Sequence, residues 1–199
     1  MENNKKTQSA NYKIAVSGSA DLSICREGVK ELAKEVGREI ARRNCVIVTG
    51  ATTGIPYYSA VGAKEANGFS IGFSPATSEN AHLKSYKLPV DAFDLVIYTG
   101  ADYVGRNIMM TKSVDGVIII SGRMGTLHEF ATAFEIQKPI AVLEGSGGTA
   151  DRIRTIIQGP QRGSKKSIIY DENPIALVDK LIRAIEEDKK NNPKIKRPN

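Results

Sequence analysis

Tryptophan is absent from the 199 residues, and cysteine and histidine occur only twice each, as Cys25, Cys45, His82 and His128. Two thiols without CxxC spacing and two scattered histidines are too few for a disulfide framework or a structural zinc site, so no metal is expected. Cys25 falls within an amphipathic pattern and Cys45 opens a β-like run, and both are read as buried thiols. Long apolar runs are missing too, since nothing approaches the roughly 18 residues of a membrane span. The first ten residues, MENNKKTQSA, lack the apolar segment of a signal peptide. A cytoplasmic protein with no membrane partner is the expectation.

An excess of one charge sign is also missing from most of the chain. The formal net charge is +6, but Lys189, Lys190, Lys194, Lys196 and Arg197 crowd the last eleven residues, and Glu2, Lys5 and Lys6 carry the charge of the first ten. Residues 11–188 are therefore electroneutral. A nucleic-acid footprint needs positive charge gathered on a folded face, whereas KKNNPKIKRPN has the composition of a frayed tail. Nucleic acid is not expected as a partner. The division that follows is a tail at 1–11, one nucleotide-binding domain at 12–188 and a basic tail at 189–199.

What is present is an ordinary globular composition, 41% hydrophobic and 25% charged, with 18 glycines. Short β-branched runs alternate with helical patterns. The strands are read at 13–17, 45–49, 69–73, 94–99, 115–121, 139–143 and 167–170. Ile24, Val29, Leu32, Val36 and Ile40 recur on one face of a first helix, and further helices are read at about 57–67, 103–113, 126–136, 149–157 and 174–188. The alternation predicts an α/β, Rossmann-like, doubly wound and mostly parallel sheet of about seven strands with helices on both faces.

In such a sheet the ligand crevice lies beyond the carboxyl ends of the strands. The segments found there are SGSAD (17–21), TGATTG (49–54), TGAD (99–102), SGRMGT (121–126) and EGSGGT (144–149), all glycine-rich and all bearing hydroxyls. Any one of them is explained by turn formation alone. Five together favour a phosphorylated ligand, because glycine admits close backbone approach and helix N-termini offer unpaired N–H groups. None is a P-loop, and none gives GxGxxG after the first strand, which disfavours a kinase or an ordinary dinucleotide dehydrogenase.

GRNIMMTKSVDGVIIISGRMGTLHEF, residues 105–130, is the most informative segment. By spacing alone, Thr126-Leu127-His128-Glu129 fits a T-x-x-E capping box, and Arg106 one turn after a capping Asp102 fits a solvated arginine. The same segment resembles the LOG-like proteins of the SLOG superfamily, whose pattern is an arginine followed after fifteen residues by PGGxGTxxE. Arg106, Ser121, Gly122, Gly125, Thr126 and Glu129 occupy those positions, TGATTGIP (49–56) stands where the family has GGGxxGLMG, and SGSA (17–20) matches its first-strand turn. Two departures are Ser121 for proline and Arg123 for the second glycine. Asn107 after Arg106 is similar to the branch containing molybdenum-cofactor carrier proteins.

The resemblance implies a nucleoside 5′-monophosphate phosphoribohydrolase acting on a purine nucleotide without a cofactor, or alternatively a non-catalytic carrier for a nucleotide-like or molybdopterin-type cofactor. Arg106 and Glu129 would be catalytic, Glu129 stabilising the oxocarbenium character of the sugar carbon. Gly18, Ser19, Gly50, Thr52, Thr53, Gly54, Gly122, Arg123, Met124, Gly125 and Thr126 would bind the nucleotide and its phosphate, Arg123 by gripping the phosphate if it does not obstruct the pocket. The lysine decarboxylase label often given to such proteins needs a pyridoxal-phosphate lysine, for which no local setting is found. The resemblance also implies a homo-oligomer. Ile108, Met109, Met110 and Val114 form an apolar surplus that fits either core or interface. Tyr57, Tyr58, Tyr98 and Tyr103 flank the expected crevice and are read mainly as packing residues. A His128–Glu129 dyad is disfavoured, because adjacent helical positions point about 100° apart.

Overall fold

A computed structural model of the chain describes residues 11–158 and 168–191. Its strands are β1 (Lys13–Gly18), β2 (Val46–Thr49), β3 (Ser70–Ser74), β4 (Leu95–Tyr98), β5 (Gly116–Ile120), β6 (Ile140–Leu143) and β7 (Ile169–Asp171). The helices are α1 (Val29–Arg42), α2 (Ile55–Glu65), α3 (Asp102–Ser113), α4 (Met124–Glu135), α5 (Ile153–Ile156) and α6 (Pro174–Asn191). Short 3-10 turns at Leu22–Ile24 and Ala150–Arg152 and a π-helical turn at Ala81–Ser85 complete the described elements. The helix read from Ile24 onward begins five residues later, with Ile24 in a separate turn. Most of the residues read as terminal tails lie outside the described segments, although α6 continues to Asn191 and Asn11 donates its backbone N–H to Asn44.

Among the described residues the seven strands form one sheet in the order β4-β3-β2-β1-β5-β6-β7, with every adjacent pair parallel. The period-2 geometry of a strand explains why the central runs are apolar throughout. Ile14 and Val16 of β1 and Ile118 and Ile120 of β5 pack on one face with Val36 and Ile40 of α1 and Leu177 and Leu181 of α6. Ala15, Val117 and Ile119 face the opposite way, against Met110 of α3, Phe130 and Ala133 of α4 and Ile153 of α5. Each fully buried aliphatic side chain in these layers contributes about 2 kcal/mol through removal from water. Of the apolar surplus on α3, Met110 and the following Val114 are core, while Ile108 and Met109 are exposed. No helix of the described residues is long and apolar enough to cross a membrane.

Strands β1 to β4 add outward on one side and β5 to β7 on the other, so the order reverses between β1 and β5. Their carboxyl ends splay apart there and open a crevice, the place where this sheet type holds ligands.

Candidate functional site

A cleft of about 250 Å³ opens at that reversal, walled by the turn after β1 on one side and by the start of α4 on the other. Its floor carries two charged side chains, Arg106 from α3 and Glu129 from α4, only 4% and 7% exposed. The Ser17 hydroxyl, at the end of β1, donates to Glu129 Oε2, and Arg106 Nη1 lies 3.3 Å from Glu129 Oε1. The capping box expected from Thr126 to Glu129 does not form. Helix α4 starts at Met124 with Arg123 at its N-cap and no side-chain cap, so Thr126 already lies inside the first turn. Glu129 is thus turned toward β1 and α3 rather than back on its own helix. Arg106 is likewise buried rather than solvated, and Asp102 is the first residue of α3 rather than its cap, its Oδ1 accepting from the Tyr86 hydroxyl at 2.5 Å.

Gly50 makes the position of Arg106 possible. A Cβ at residue 50 would stand 1.8 Å from Arg106 Nη1, so any side chain there would collide with the guanidinium. Gly54, at φ +69, has a similar role for the first-strand turn, since its Cβ would meet the Ser19 carbonyl oxygen at 2.2 Å.

Burial dominates the electrostatics of the floor. It pushes the Glu129 carboxyl above the ordinary 4.5, and Arg106, Ser17 and His128 pull back only part of that rise. Burial also lowers the Arg106 guanidinium against the attraction of Glu129, but a guanidinium remains protonated in proteins. A fixed cation therefore faces a carboxyl whose charged form burial disfavours. Arg106 Nε and Asn107 Oδ1 are buried without hydrogen-bond partners. Asn107 Nδ2 approaches His128 Nδ1 at 3.4 Å, a contact between α3 and α4.

The rim is built by two loops. Ser121 follows β5 at φ +52 and Gly122 at φ +105. The Ser121 N–H donates to Ser146 Oγ at 2.8 Å, and its carbonyl accepts from Ala150 N–H at 3.0 Å. A proline has no N–H and holds φ near −65°, so the serine that replaces the proline of the PGG pattern fits this turn for a backbone reason. The 144–149 loop therefore buttresses the turn from behind. Above the floor, Arg123 Nη2 pairs with Asp21 Oδ2 at 2.7 Å, both side chains about half exposed.

Of the residues expected at the site, Gly18, Ser19, Thr52, Arg106, Arg123, Gly125, Thr126 and Glu129 line this cleft. Gly50 lies beneath Arg106, and Gly122 packs on Thr126. Thr53 and Gly54 face a neighbouring hollow with Tyr57 and Tyr58, and Met124 is 75% exposed. Ser17 and Asp21, from the crevice segment 17–21, line the cleft with Tyr103 and Asn107, although none of the four is assigned a binding or catalytic role from the sequence. Ser17 is one strand period beyond Ala15, at the open end of β1, a signal that period-2 counting makes available. Tyr98 lies instead on β4 against His82, at 5.9 Å between ring centroids. Cys45 is buried as expected, whereas Cys25 is only half-buried, accepting from Ser121 Oγ at 3.2 Å.

An uncharacterised protein of Archaeoglobus fulgidus is 29% identical to this chain over 131 residues, 66% of this chain and 79% of that protein. The molybdenum cofactor carrier protein of Chlamydomonas reinhardtii matches the structure with a TM-score of 0.70 at 23% identity, covering 87% of this chain and 98% of that one. The molybdenum cofactor binding protein of the phototrophic bacterium Rippkaea orientalis matches with a TM-score of 0.67 at 25% identity, covering 87% and 95%. The model of the SLOG cluster4 family matches residues 11–178. With most of its length matched and the arginine, glycine turn and glutamate gathered at one cleft, the chain belongs to the SLOG cluster4 family.

Proposed function

We propose that residues 12–188 act as one nucleotide-binding domain and that the cleft hydrolyses the N-glycosidic bond of a purine nucleoside 5′-monophosphate. The observation that carries this reading is the Glu129 carboxyl, buried on the cleft floor and held by Ser17 and Arg106 rather than used as a helix cap. The first N–H groups of α4, at Met124, Gly125 and Thr126, have no partner within the helix and are suited to the phosphate. The C1′–N bond then breaks with its electron pair leaving on the base. Glu129, as carboxylate, stabilises positive charge developing on the sugar and takes a proton from the attacking water, whose oxygen bonds to C1′; the proton ends on the departing base, which gives ribose 5-phosphate and free base. Arg106 holds the anionic substrate in register.

The test is release of free base from AMP, GMP and IMP by the full chain. Turnover supports the reading, and its absence with all three overturns it.

A second reading has its own support. Arg123 stands where the glycine turn of the phosphoribohydrolases has no side chain, and proteins of similar fold carry the molybdenum cofactor. On this reading the cleft retains a phosphorylated, pterin-type ligand without reacting, and the protein would bind such a ligand tightly while releasing no base.

A further inference from the structure

We infer that Arg123 and Asp21 form a clasp that the ligand splits, Arg123 passing to a phosphate of the ligand and Asp21 to the vicinal hydroxyls of its sugar. The inference rests on the proposed nucleotide reading and assigns the ligand class as a ribose phosphate rather than a deoxyribose or non-sugar phosphate.

The two side chains reach the cleft rim from different loops, Asp21 after β1 and Arg123 after β5, and both line the cavity that holds Glu129. Their backbones are fixed. Ser19 Oγ donates to the Asp21 carbonyl at 2.7 Å, and the Arg123 carbonyl accepts from Leu127 N–H at 3.0 Å and Thr149 Oγ1 at 3.1 Å. Movement is therefore left to the side chains. The pair is about half exposed on both partners, so its hold is weak and readily exchanged. A phosphate offers the Arg123 fork two oxygens and a full negative charge beside the open N–H groups of α4.

The carboxylate of Asp21 is divided in a way that fits the second half of the exchange. Oδ1 accepts from Ser23 N–H at 2.9 Å, which keeps the group oriented, while Oδ2 is the oxygen that Arg123 occupies. When Arg123 leaves, Oδ2 faces the cleft as an acceptor that repels phosphate and suits hydroxyl donors. A second observation points to a polar ligand in the same cavity. Asn107 is only 5% exposed, lines the cleft, and its Oδ1 has no hydrogen-bond partner, nor has Nε of the adjacent Arg106. The fold leaves this polar capacity unmet on the floor beneath the clasp.

The experiment is calorimetric titration of the full chain and its Arg123→Ala, Arg123→Lys and Asp21→Ala variants with ribose 5-phosphate, 2-deoxyribose 5-phosphate and inorganic phosphate. Both positions are exposed, so each variant keeps the parent melting temperature. The parent binds ribose 5-phosphate more tightly than the deoxy sugar. Arg123→Ala weakens ribose 5-phosphate about tenfold or more, and Arg123→Lys, which keeps the charge but not the fork, falls between. Asp21→Ala brings the ribose-to-deoxyribose ratio to unity while inorganic phosphate binds as well as, or better than, in the parent. Tighter binding in Arg123→Ala, or variants indistinguishable from a parent that binds, overturns the clasp alone. A parent that binds neither sugar phosphate overturns the clasp, whereas the nucleotide reading falls only if base release from AMP, GMP and IMP is also absent.

Discussion

Ser17 on β1 and Glu129 on α4, separated by 112 residues, share a hydrogen bond on the floor of the cleft. It links β1, on one side of the reversal in strand order, to the helix that follows β5 on the other, and holds a carboxyl where the ligand crevice of this sheet type opens. Arg106 approaches the other carboxyl oxygen, so Glu129 is fixed from two sides in surroundings that penalise its charge. Such a group is kept at a cost in stability.

Gly50→Ala tests whether the position of Arg106 matters. The added methyl would stand 1.8 Å from Arg106 Nη1 and displace the guanidinium from Glu129. The expected outcome is a loss of base release of about tenfold or more with the sheet intact by circular dichroism. Unchanged turnover would show that Arg106 need not sit where the structure places it.

Ser121→Pro restores the PGG pattern in sequence but conflicts with the turn in space. Residue 121 lies at φ +52 and donates its N–H to Ser146. Urea unfolding should show destabilisation of at least about 3 kcal/mol, whereas Ser121→Gly, which tolerates the φ and keeps the N–H, should cost clearly less.

The pH profile of base release should report Glu129. Burial raises its carboxyl above 4.5, and in the proposed mechanism the carboxylate is the active form. Activity should therefore fall on the acid side with an apparent pKa above that value, in kcat as well as kcat/KM. Stability follows with a definite sign. The folded state binds this proton more tightly than the unfolded chain, so the carboxyl costs stability above its folded pKa, and the cost fades as pH drops toward 4.5. An acid limb at or below 4.5 would contradict the assignment.

Val104 and Ile108 lie one turn apart on α3, with Met109 beside Ile108, and are 65%, 36% and 46% exposed. We propose that this apolar strip is a homo-oligomer interface. Light scattering at micromolar concentration should give a dimer or larger, and Val104→Glu should shift it toward monomer without unfolding. A monomeric parent would end the proposal.

Much of the architecture was legible in the sequence because its signals are local. Every strand was read to within about two residues at each end, since β-branched runs such as GVIII at 116–120 are apolar on both faces and bounded by turn residues. The site was legible only in outline. T-x-x-E spacing favoured a cap at Glu129, but the helix begins two residues before Thr126, at Met124, and turns Glu129 onto Ser17, a contact that depends on β1 and β5 being neighbours. The pairing of Asp21, a residue of the crevice segment 17–21, with Arg123 escaped for a similar reason, as only the folded sheet brings their loops together. The π-helical turn at Ala81–Ser85 had no periodic pattern to announce it, being held by His82, whose ring nitrogens contact Ser74 Oγ and the Pro89 carbonyl.

The central claim is that Glu129 acts on the glycosidic bond, and Glu129→Gln tests it most directly. The amide keeps the shape of the side chain and an acceptor for Ser17 but removes the charge. With AMP as substrate, release of free adenine should fall about a hundredfold or more while AMP affinity by calorimetry stays within about threefold of the parent. Adenine release by Glu129→Gln at the parent rate would contradict the account.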